Sequence, residues 1–439
     1  MTGLALGLLS FPLLLVLIAL GIPIALAMLS VGAGGYILVN GWDALLNYLK
    51  TAPYYQFSTY SLSVIPLFLL MGQFATAAGI SKALFQTANT WLGHRRGGIA
   101  LAAIGACAAF GAICGSSLAT AATLGKVALP EMRRFNYQGS LATGVLAAGG
   151  TLGILIPPSM VLVIYSILTE QNIAKLFTAA LVPGILAALG YMGTVAVVVR
   201  LWPGSGPGGE RLPYRERLRS LGQVWPVVMT FGLVMGGIYS GWFTPTEGAA
   251  VGALSTGAIA LGYSRIGWRQ FCQCLQEAAV TTGMIFLILL GAELYNAFLA
   301  QTQMPMLVAQ GIAESGLAPR VVLGVMLLLY LVLGCVMDSL SMILLTVPIF
   351  FPVIMGLDFG LSPEETGLWF GILALIVVEV GLITPPVGMN VFVINQLAEE
   401  VSIVESFKGV FPFLVSDGLR VLLLVAFPSL TLSLVRWLY

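Results

Sequence analysis

The stretch Gly-Ile-Leu-Ile-Pro-Pro at residues 153–158 recurs as Gly-Leu-Ile-Thr-Pro-Pro at residues 381–386, an offset of 228 positions. Both copies lie inside long apolar stretches, at about 138–168 and 367–397. A proline lacks a backbone N–H and disfavours helix at the residue before it, so each pair is expected to interrupt a helix and leave carbonyl oxygens unpaired. In hydrocarbon such carbonyls cost several kcal/mol unless another group satisfies them.

The composition indicates that both stretches lie in lipid. Of the 439 residues, 59% are hydrophobic and 8% are charged, with a mean hydropathy of +0.99. A soluble protein is about one quarter charged. At about 20 apolar residues per crossing, the length allows roughly ten to twelve helices, which predicts an all-α polytopic membrane protein. A net charge of +1 provides no basic surface for nucleic acid.

The cysteines and the N-terminus add no further chemistry. With a single histidine, His94, the scattered cysteines cannot form a usual zinc site, and we expect them to pack as small core residues. They are Cys107, Cys114, Cys272, Cys274 and Cys335. No basic segment follows Met1, so we expect the first apolar stretch to be a membrane span and not a cleaved signal peptide.

Basic residues indicate which ends of the apolar stretches face the cytoplasm. Arginine pairs at 95–96 and 133–134 flank the apolar stretch 98–129, so both of its ends are expected on the cytoplasmic side. Its 32 residues are too few for two crossings of about 20 residues each. A re-entrant helical hairpin with its tip at 111–120 satisfies both conditions.

The second half of the chain repeats this plan. The tip segment Gly111–Ser116 aligns with Gly334–Ser339 at an offset of 223, which predicts a second hairpin. Five apolar stretches separate the two hairpins, and an odd number of crossings makes the second repeat open to the opposite side. The predicted domains begin with N-terminal scaffold helices at 1–61 and a first inverted repeat at 62–200, which contains hairpin 98–129 and broken helix 138–168. A cytoplasmic linker at 201–222 and central scaffold helices at 223–279 follow. The second inverted repeat covers 280–439 and contains hairpin 320–355 and broken helix 367–397.

Two interrupted helices at matching positions of an inverted repeat indicate a transport site at the bilayer midplane. Unwound carbonyls coordinate Na⁺, and the N-termini of half-helices favour anions. The alternative is a structural kink that neighbouring helices satisfy. Paired helix breaks also favour alternating access over an open channel.

Asp338 is the embedded acid that most needs a partner. No basic residue lies near it in sequence, and a carboxylate at that depth costs roughly 2.5–3.5 kcal/mol on insertion scales. We expect a sodium ion to balance it, and a hydrogen-bonded structural acid is the alternative. The serine and threonine hydroxyls near both tips offer oxygens for a cation, donors for a carboxylate, or contacts between closely packed helices.

Other embedded polar residues leave alternatives open. Glu379 either pairs with the cation site or bonds to backbone freed by the break, and Asn390 either lines the cavity or is structural. Asp417 and Arg420 are spaced to neutralise each other. The segment 244–247, Thr-Pro-Thr-Glu, is typical of a helix start.

Five ordered segments resemble the large membrane (M) subunit of tripartite ATP-independent periplasmic (TRAP) transporters of the DctM type. They are GAICGSSLATAA from Gly111, GILIPPS from Gly153, GWFTPTEGAAVGA from Gly241, VLGCVMDSLSMILLTVPIFFPV from Val332 and VEVGLITPPVGMNVFV from Val378. The resemblance implies an elevator-type ion transporter superfamily fold and sodium-coupled uptake of organic acid anions, carboxylates or sulfonates, across the bacterial inner membrane. It implies Na⁺ as coupling ion, no cofactor, and two partners, a periplasmic substrate-binding protein and a small four-helix membrane subunit that we expect to be a separate chain.

Carried over motif by motif, the resemblance also implies two sodium sites with the anion between the tips. The metal-ligating residues would be Ser116, Ser117, Gly153 and Pro157 at one site, and Asp338, Ser339, Thr384 and Pro385 at the other. The substrate-binding residues would be Ser117, Thr120, Ser159, Ser341 and Asn390. Because Gly115 aligns with Asp338, the two cation sites should differ in charge.

Two other classes of protein are alternatives to this prediction. Serine chemistry needs a base, and His94 lies far along the chain from any embedded serine, so we expect no enzyme and no catalytic residue, although Asp338 and Glu379 could supply an acid pair. The more serious alternative is a sodium/anion symporter of similar fold that needs no binding protein.

Overall fold

The computed structural model describes residues 3–209, 211–314 and 316–439, and every regular element within them is helical. The all-α fold class is therefore confirmed. The first five helices are α1 (Gly3–Ala19), α2 (Ile24–Asn40), α3 (Trp42–Phe57), α4 (Val64–Ala77) and α5 (Ile80–Leu92). Residues 1 and 2, on which the expectation of an uncleaved N-terminus partly rests, lie outside the described residues, as does residue 210 of the predicted linker.

The first hairpin and the first interrupted helix follow. They comprise α6 (Gly98–Cys114), α7 (Ser117–Arg134), α8 (Gly139–Leu155) and α9 (Met160–Thr169). The long helix α10 (Ile173–Leu201) then runs back to the end of the bundle where the first hairpin begins. Residues 115–116 alone join α6 to α7, so the hairpin is tight. The axes of α8 and α9 differ by 43° across the double proline, which confirms the predicted interruption.

The segment after α10, predicted as a linker, contains a short helix. The middle of the chain forms α11 (Tyr214–Leu221), α12 (Trp225–Tyr239), α13 (Pro245–Ala258), α14 (Trp268–Thr302) and α15 (Met304–Glu314). The helix α11 lies within the predicted linker and is docked, since Trp91 Nε1 donates to the Arg217 carbonyl at 3.1 Å. The segment just before α11 is docked as well, because Gly97 N donates to Gly206 O and Gly209 N donates to Gly93 O, both at 2.8 Å. The predicted start of α13 is confirmed by a reciprocal capping box between Thr244 and Glu247.

The second half contains the matching elements. They are α16 (Pro319–Gly334), α17 (Ser339–Met355), α18 (Pro363–Gly381), α19 (Met389–Leu397), α20 (Ile403–Ala426) and α21 (Ser429–Leu438). The helices α6 and α7 pack on α8, and α16 and α17 pack on α18. The two repeats also interlock, because α7 contacts α19 and α17 contacts α9.

Contacts at the two ends of the bundle show that the hairpins enter from opposite sides. At the base of the first hairpin, Gln138 N donates to Ser205 O at 3.0 Å, which places the linker there. At the other end, Lys175 pairs with Glu364 at 2.6 Å. The base of the second hairpin lies near that end, because the Phe359 ring packs against Trp369 one turn and a half into α18.

The number of full-length spans is smaller than the length of the chain allowed. By length and composition, four described helices could cross a membrane, namely Tyr60–Ala77, Ile173–Leu201, Trp268–Thr302 and Ile403–Ala426, or up to six if each bent pair is one span. Five further apolar helices have 16 or 17 residues, and α18 has 19 residues but carries Glu364, Glu365 and Glu379. Hairpins and interrupted helices divide much of the apolar sequence into pieces shorter than a full crossing, which a count based on about 20 residues per crossing cannot anticipate.

Candidate transport site

The first tip is formed by the glycine and serine between α6 and α7. Gly115 has a φ of +62°, a left-handed conformation that glycine adopts without strain and that ends α6. Ser116 is extended and caps α7, its Oγ accepting from Ala119 N at 3.4 Å. The N-terminus of α7 is thereby directed toward the middle of the bundle.

The second tip carries an acid at the equivalent place. Asp338 caps α17, and its carboxylate accepts from Ser341 N at 3.1 Å and from Ser341 Oγ at 2.5 Å. A carboxylate at a helix N-terminus is stabilised by the free N–H groups and the helix dipole. The difference in charge between the two tips follows from the sequence. The structure places the two tips at the N-termini of matching helices, α7 and α17.

The two breaks are not alike. Residues 156–159 and 382–388 are both non-helical, and the peptide bonds Pro157-Pro158 and Pro385-Pro386 are cis. The first proline pair is buried and the second is exposed at the surface of the chain. Within the second break, the Leu382 carbonyl accepts from Asn390 N at 3.0 Å, so the chain itself satisfies part of the freed backbone.

A cavity of 330 Å³ lies between the two tips, and we call it the tip cavity. Its lining comprises Gly115, Ser116, Ser117 and Leu118 of the first tip, Asp338, Ser339 and Leu340 of the second, Ile154, Met160, Val161, Ile164 and Leu382 around the breaks, and Thr281, Met284, Ile285 and Ile288 of α14. The wall is mainly apolar, with its polar groups concentrated at the two helix N-termini. This is the usual design of a small-molecule site.

The structure brings some of the predicted site residues to this cavity and leaves others behind its wall. Four of them line it, and these are Ser116, Ser117, Asp338 and Ser339. Four predicted substrate ligands, Thr120, Ser159, Ser341 and Asn390, are at most 1% exposed and do not line it. The Thr384 hydroxyl donates to Val380 O at 2.7 Å, and the residue lines a separate groove between α16, α18 and α20.

Two of these buried residues have side-chain oxygens that could bind a ligand. Within the described chain, Thr120 Oγ1 and Asn390 Oδ1 are buried and have no hydrogen-bond partner. A Cβ added to Gly153 would lie 2.5 Å from Thr120 Oγ1 and 2.7 Å from Ser116 O, so only glycine allows these oxygens so close to α8. Such a group of neutral oxygens beside an unwound helix fits a hard cation. In the described residues no group of three His, Cys, Asp or Glu could hold a metal ion.

Glu379 is the residue whose importance the sequence left open. It is 0% exposed, and its carboxylate accepts hydrogen bonds from Ser117 Oγ and, at 2.6 Å, from Ser339 Oγ. The signal in the sequence was its depth in an apolar stretch, two residues before Gly381 at the second break. Its two partners could not be read from that signal.

A second buried polar group lies away from the tips. Arg420 pairs with Asp417 at 2.8 Å, which confirms the predicted neutralising pair. Tyr191 donates to Asp417 at 2.8 Å and lies 3.0 Å from the Thr151 hydroxyl. This group joins α8, α10 and α20. The cysteines are free thiols, and all but Cys272 are buried, as expected of packing residues.

Hairpins entering from opposite ends, two interrupted helices and a cavity between the tips define a membrane transport protein with an inverted repeat. The family model for the tripartite ATP-independent periplasmic transporter, DctM component, matches residues 11–430. The chain belongs to this family, which confirms the resemblance of its five segments. It is a transporter permease and not an enzyme, and it is a multi-pass protein of the bacterial inner membrane.

Individual relatives agree with this assignment. The C4-dicarboxylate TRAP transporter large permease protein DctM of Pseudomonas aeruginosa is 37% identical over 380 residues, which cover 86% of this chain and 87% of that protein. The sialic acid TRAP transporter large permease protein SiaM of Vibrio cholerae is 31% identical over 420 residues, covering 94% and 95%. Among solved structures, the Alcanivorax borkumensis YdaH transporter matches with a TM-score of 0.63 at 15% identity, covering 97% of this chain and 98% of that chain, a likeness of fold.

Proposed function

We propose that this permease imports organic acid anions together with sodium ions, through a site between its two hairpin tips. The observation that carries the proposal is the convergence of the α7 and α17 N-termini on the tip cavity. Free N–H groups and the helix dipole at two such ends favour a carboxylate between them. The relatives named for C4-dicarboxylates and sialic acid both handle carboxylate anions.

Sodium is proposed at each tip because each tip collects oxygens beside a helix break. At the first, the ligands would be Ser116, Ser117, Gly153 and Pro157, with the unpartnered Thr120 Oγ1 close by. At the second, they would be Asp338 and Ser339, which line the tip cavity, and Thr384 and Pro385 would contribute through their backbone. Sodium at Asp338 would neutralise a carboxylate that is otherwise expensive in the membrane.

The proposed movement is an elevator. The hairpins and interrupted helices pack on one another in both repeats, which supports their moving as one body. The helix α14 forms the opposite wall of the tip cavity and packs extensively on α2, so it would belong to the fixed part. Coupling then arises because sodium and anion bind one state more tightly than the other.

A periplasmic substrate-binding protein and a small four-helix membrane subunit are the proposed partners. The tripartite character of the family supports both. The helix α3 and its flanks expose aromatic side chains suited to a partner or to the membrane interface, among them Trp42, Tyr54, Tyr55 and Tyr60.

Uptake into proteoliposomes tests the proposal. The permease is reconstituted with its small subunit, the binding protein is added outside with a radiolabelled dicarboxylate or sialic acid, and the external salt is sodium, potassium or choline chloride. Uptake is expected only with sodium and only with binding protein. Equal uptake in potassium would contradict sodium coupling. Sodium-driven uptake without binding protein would instead favour the independent symporter.

A further inference from the structure

One carboxylate connects the two hairpin tips. Glu379 lies on the last turn of α18, and its two oxygens accept separate hydrogen bonds from Ser117 Oγ and Ser339 Oγ. Ser117 is the first residue of α7 and Ser339 the first residue of α17. The hairpins enter from opposite ends of the bundle and their tips meet at the tip cavity, where this carboxylate bonds to both of them.

The direction of these hydrogen bonds determines what the serines can bind. A serine hydroxyl has one proton and two lone pairs. Because Glu379 accepts both protons, only lone pairs remain at Ser117 Oγ and Ser339 Oγ to face the tip cavity, which both residues line. Lone pairs coordinate a cation and repel a carboxylate. In this arrangement the two hydroxyls are ligands for a cation and not donors to the anion.

Within the described chain Glu379 has no ion-pair partner, although Arg420 attracts it and Asp417 repels it from a greater distance. The buried Arg420 pairs with Asp417. Two hydroxyl donors offset only part of the cost of an enclosed carboxylate. A cation on the far side of each serine would supply the remainder through a carboxylate–hydroxyl–cation relay, the arrangement by which outer carboxylates orient metal ligands.

The two repeats share this residue instead of each having one. The position that corresponds to Glu379 at the offset of 228 is Thr151. The Thr151 hydroxyl contacts Ala148 O at 2.7 Å and Tyr191 at 3.0 Å, and it does not contact either tip. A substitution of Glu379, which belongs to the second repeat, should therefore affect both hairpin tips.

We propose that Glu379 is a positioning residue for both candidate sodium sites, holding Ser117 and Ser339 with their lone pairs toward the ions. The inference rests on the proposed sodium coupling and deepens it, since it makes ion binding at both tips depend on one carboxylate. A merely structural Glu379 would affect the stability of the protein and leave its affinity for sodium unchanged.

Sodium binding to the purified full-length chain tests this without transport or partners. The thermal unfolding midpoint is measured against sodium chloride, with choline chloride keeping ionic strength constant. In Glu379→Gln, the amide accepts from one serine and donates to the other, so one hydroxyl proton turns toward the cavity. The sodium concentration for half-maximal stabilisation is expected to rise about 10–100-fold, as for other lost partners of metal ligands. An unchanged value would overturn the proposal.

Glu293→Gln is the matched control. It makes the same change in the membrane on α14, where Glu293 accepts from Tyr48 at 3.1 Å and does not contact the tips. Its sodium titration should match that of the unmodified chain. An equal loss in both variants would overturn the proposal, because removing any embedded carboxylate would then suffice.

A second comparison tests whether Glu379 acts through the serines. In a chain carrying Ser117→Ala and Ser339→Ala, adding Glu379→Gln should change sodium affinity by less than about twofold, since residues that act as a unit are not additive. If adding Glu379→Gln to the double-alanine chain instead lowers its sodium affinity by about another tenfold, roughly the effect of removing one partner of a metal ligand, the proposal is overturned. If Glu379→Gln does not fold, Ser117→Ala and Ser339→Ala are each measured alone. Unchanged sodium binding in both of these variants would overturn the proposal.

The same titration separates this inference from the proposed function. If the unmodified chain is not stabilised by sodium over choline, sodium coupling fails and the inference falls with it. If the unmodified chain and Glu379→Gln respond equally to sodium, the inference alone is overturned.

Discussion

Gly381 packs directly on Gly334, so closely that a Cβ added to Gly381 would lie 2.6 Å from the Gly334 Cα. The first repeat has the same relationship, because a Cβ on Gly111 would lie 2.5 Å from the Gly153 Cα. In each repeat the hairpin therefore meets the interrupted helix backbone to backbone, just before the proline pair. Small residues at such a crossing are what allows helices to approach closely in a membrane.

Replacing Gly381 with Ala should force α18 and the second hairpin apart. The added methyl meets backbone and not a flexible side chain, so we expect a loss of about 1–3 kcal/mol in stability. Thermal unfolding of the purified chain measures it. Gly324→Ala on α16 is the control, because its Cβ would meet nothing within 4 Å and alanine is the better helix former. Equal midpoints for the two variants would contradict the close packing.

Asp338→Asn tests the charge at the second tip while keeping its helix cap. Asparagine caps helices about as well as aspartate, so the variant should fold. Loss of the charge should weaken sodium binding at least about tenfold, as judged by sodium-dependent stabilisation. Asp358→Asn is the control, since Asp358 lies in a loop away from the tips and accepts from Gly360 N at 2.8 Å. Full sodium response in Asp338→Asn would remove this carboxylate from the ion site.

Thr120→Val should have opposite effects in the absence and presence of sodium. The Thr120 hydroxyl is buried and has no hydrogen-bond partner among the described residues, so replacing it by a methyl should leave the sodium-free protein as stable or slightly more stable. If the hydroxyl coordinates sodium, the stabilisation by sodium should fall. Thr143→Val is the control, because that hydroxyl donates to Gly139 O at 2.9 Å; it should reduce stability slightly and leave the sodium response intact. A normal sodium response in Thr120→Val would exclude it as a ligand.

Tyr191→Phe tests the polar group that joins α8, α10 and α20. Tyr191 donates to the buried Asp417, and hydrogen bonds to charged groups contribute about 1.5–3 kcal/mol. The variant should lower the thermal unfolding midpoint without changing the sodium concentration for half-maximal stabilisation. Tyr263→Phe, at a tyrosine that is 59% exposed, should match the unmodified chain. A changed sodium response in Tyr191→Phe would mean that this group acts on the ion sites.

Local signals in the chain predicted much of this architecture. Hydropathy identified the lipid environment, the proline pairs located both interruptions, and the flanking arginines with the short stretch at 98–129 predicted the first hairpin. Each of these signals acts within one or two helical turns or depends on composition. The ligand roles of the tip residues remain predictions.

The positions where helices break and turn can therefore be predicted from the amino acids alone, because proline, glycine and hydropathy act on neighbouring backbone. The hydrogen bonds of Glu379 to Ser117 and Ser339 became visible in the folded chain alone, since these serines lie 262 and 40 residues away on separate hairpins. The folded chain also shows that the first proline pair is buried and the second exposed, although the motifs are nearly identical. The physical reason is that hydrogen-bond partners and burial depend on which helices pack together, and that choice is made by contacts between segments distant in the chain.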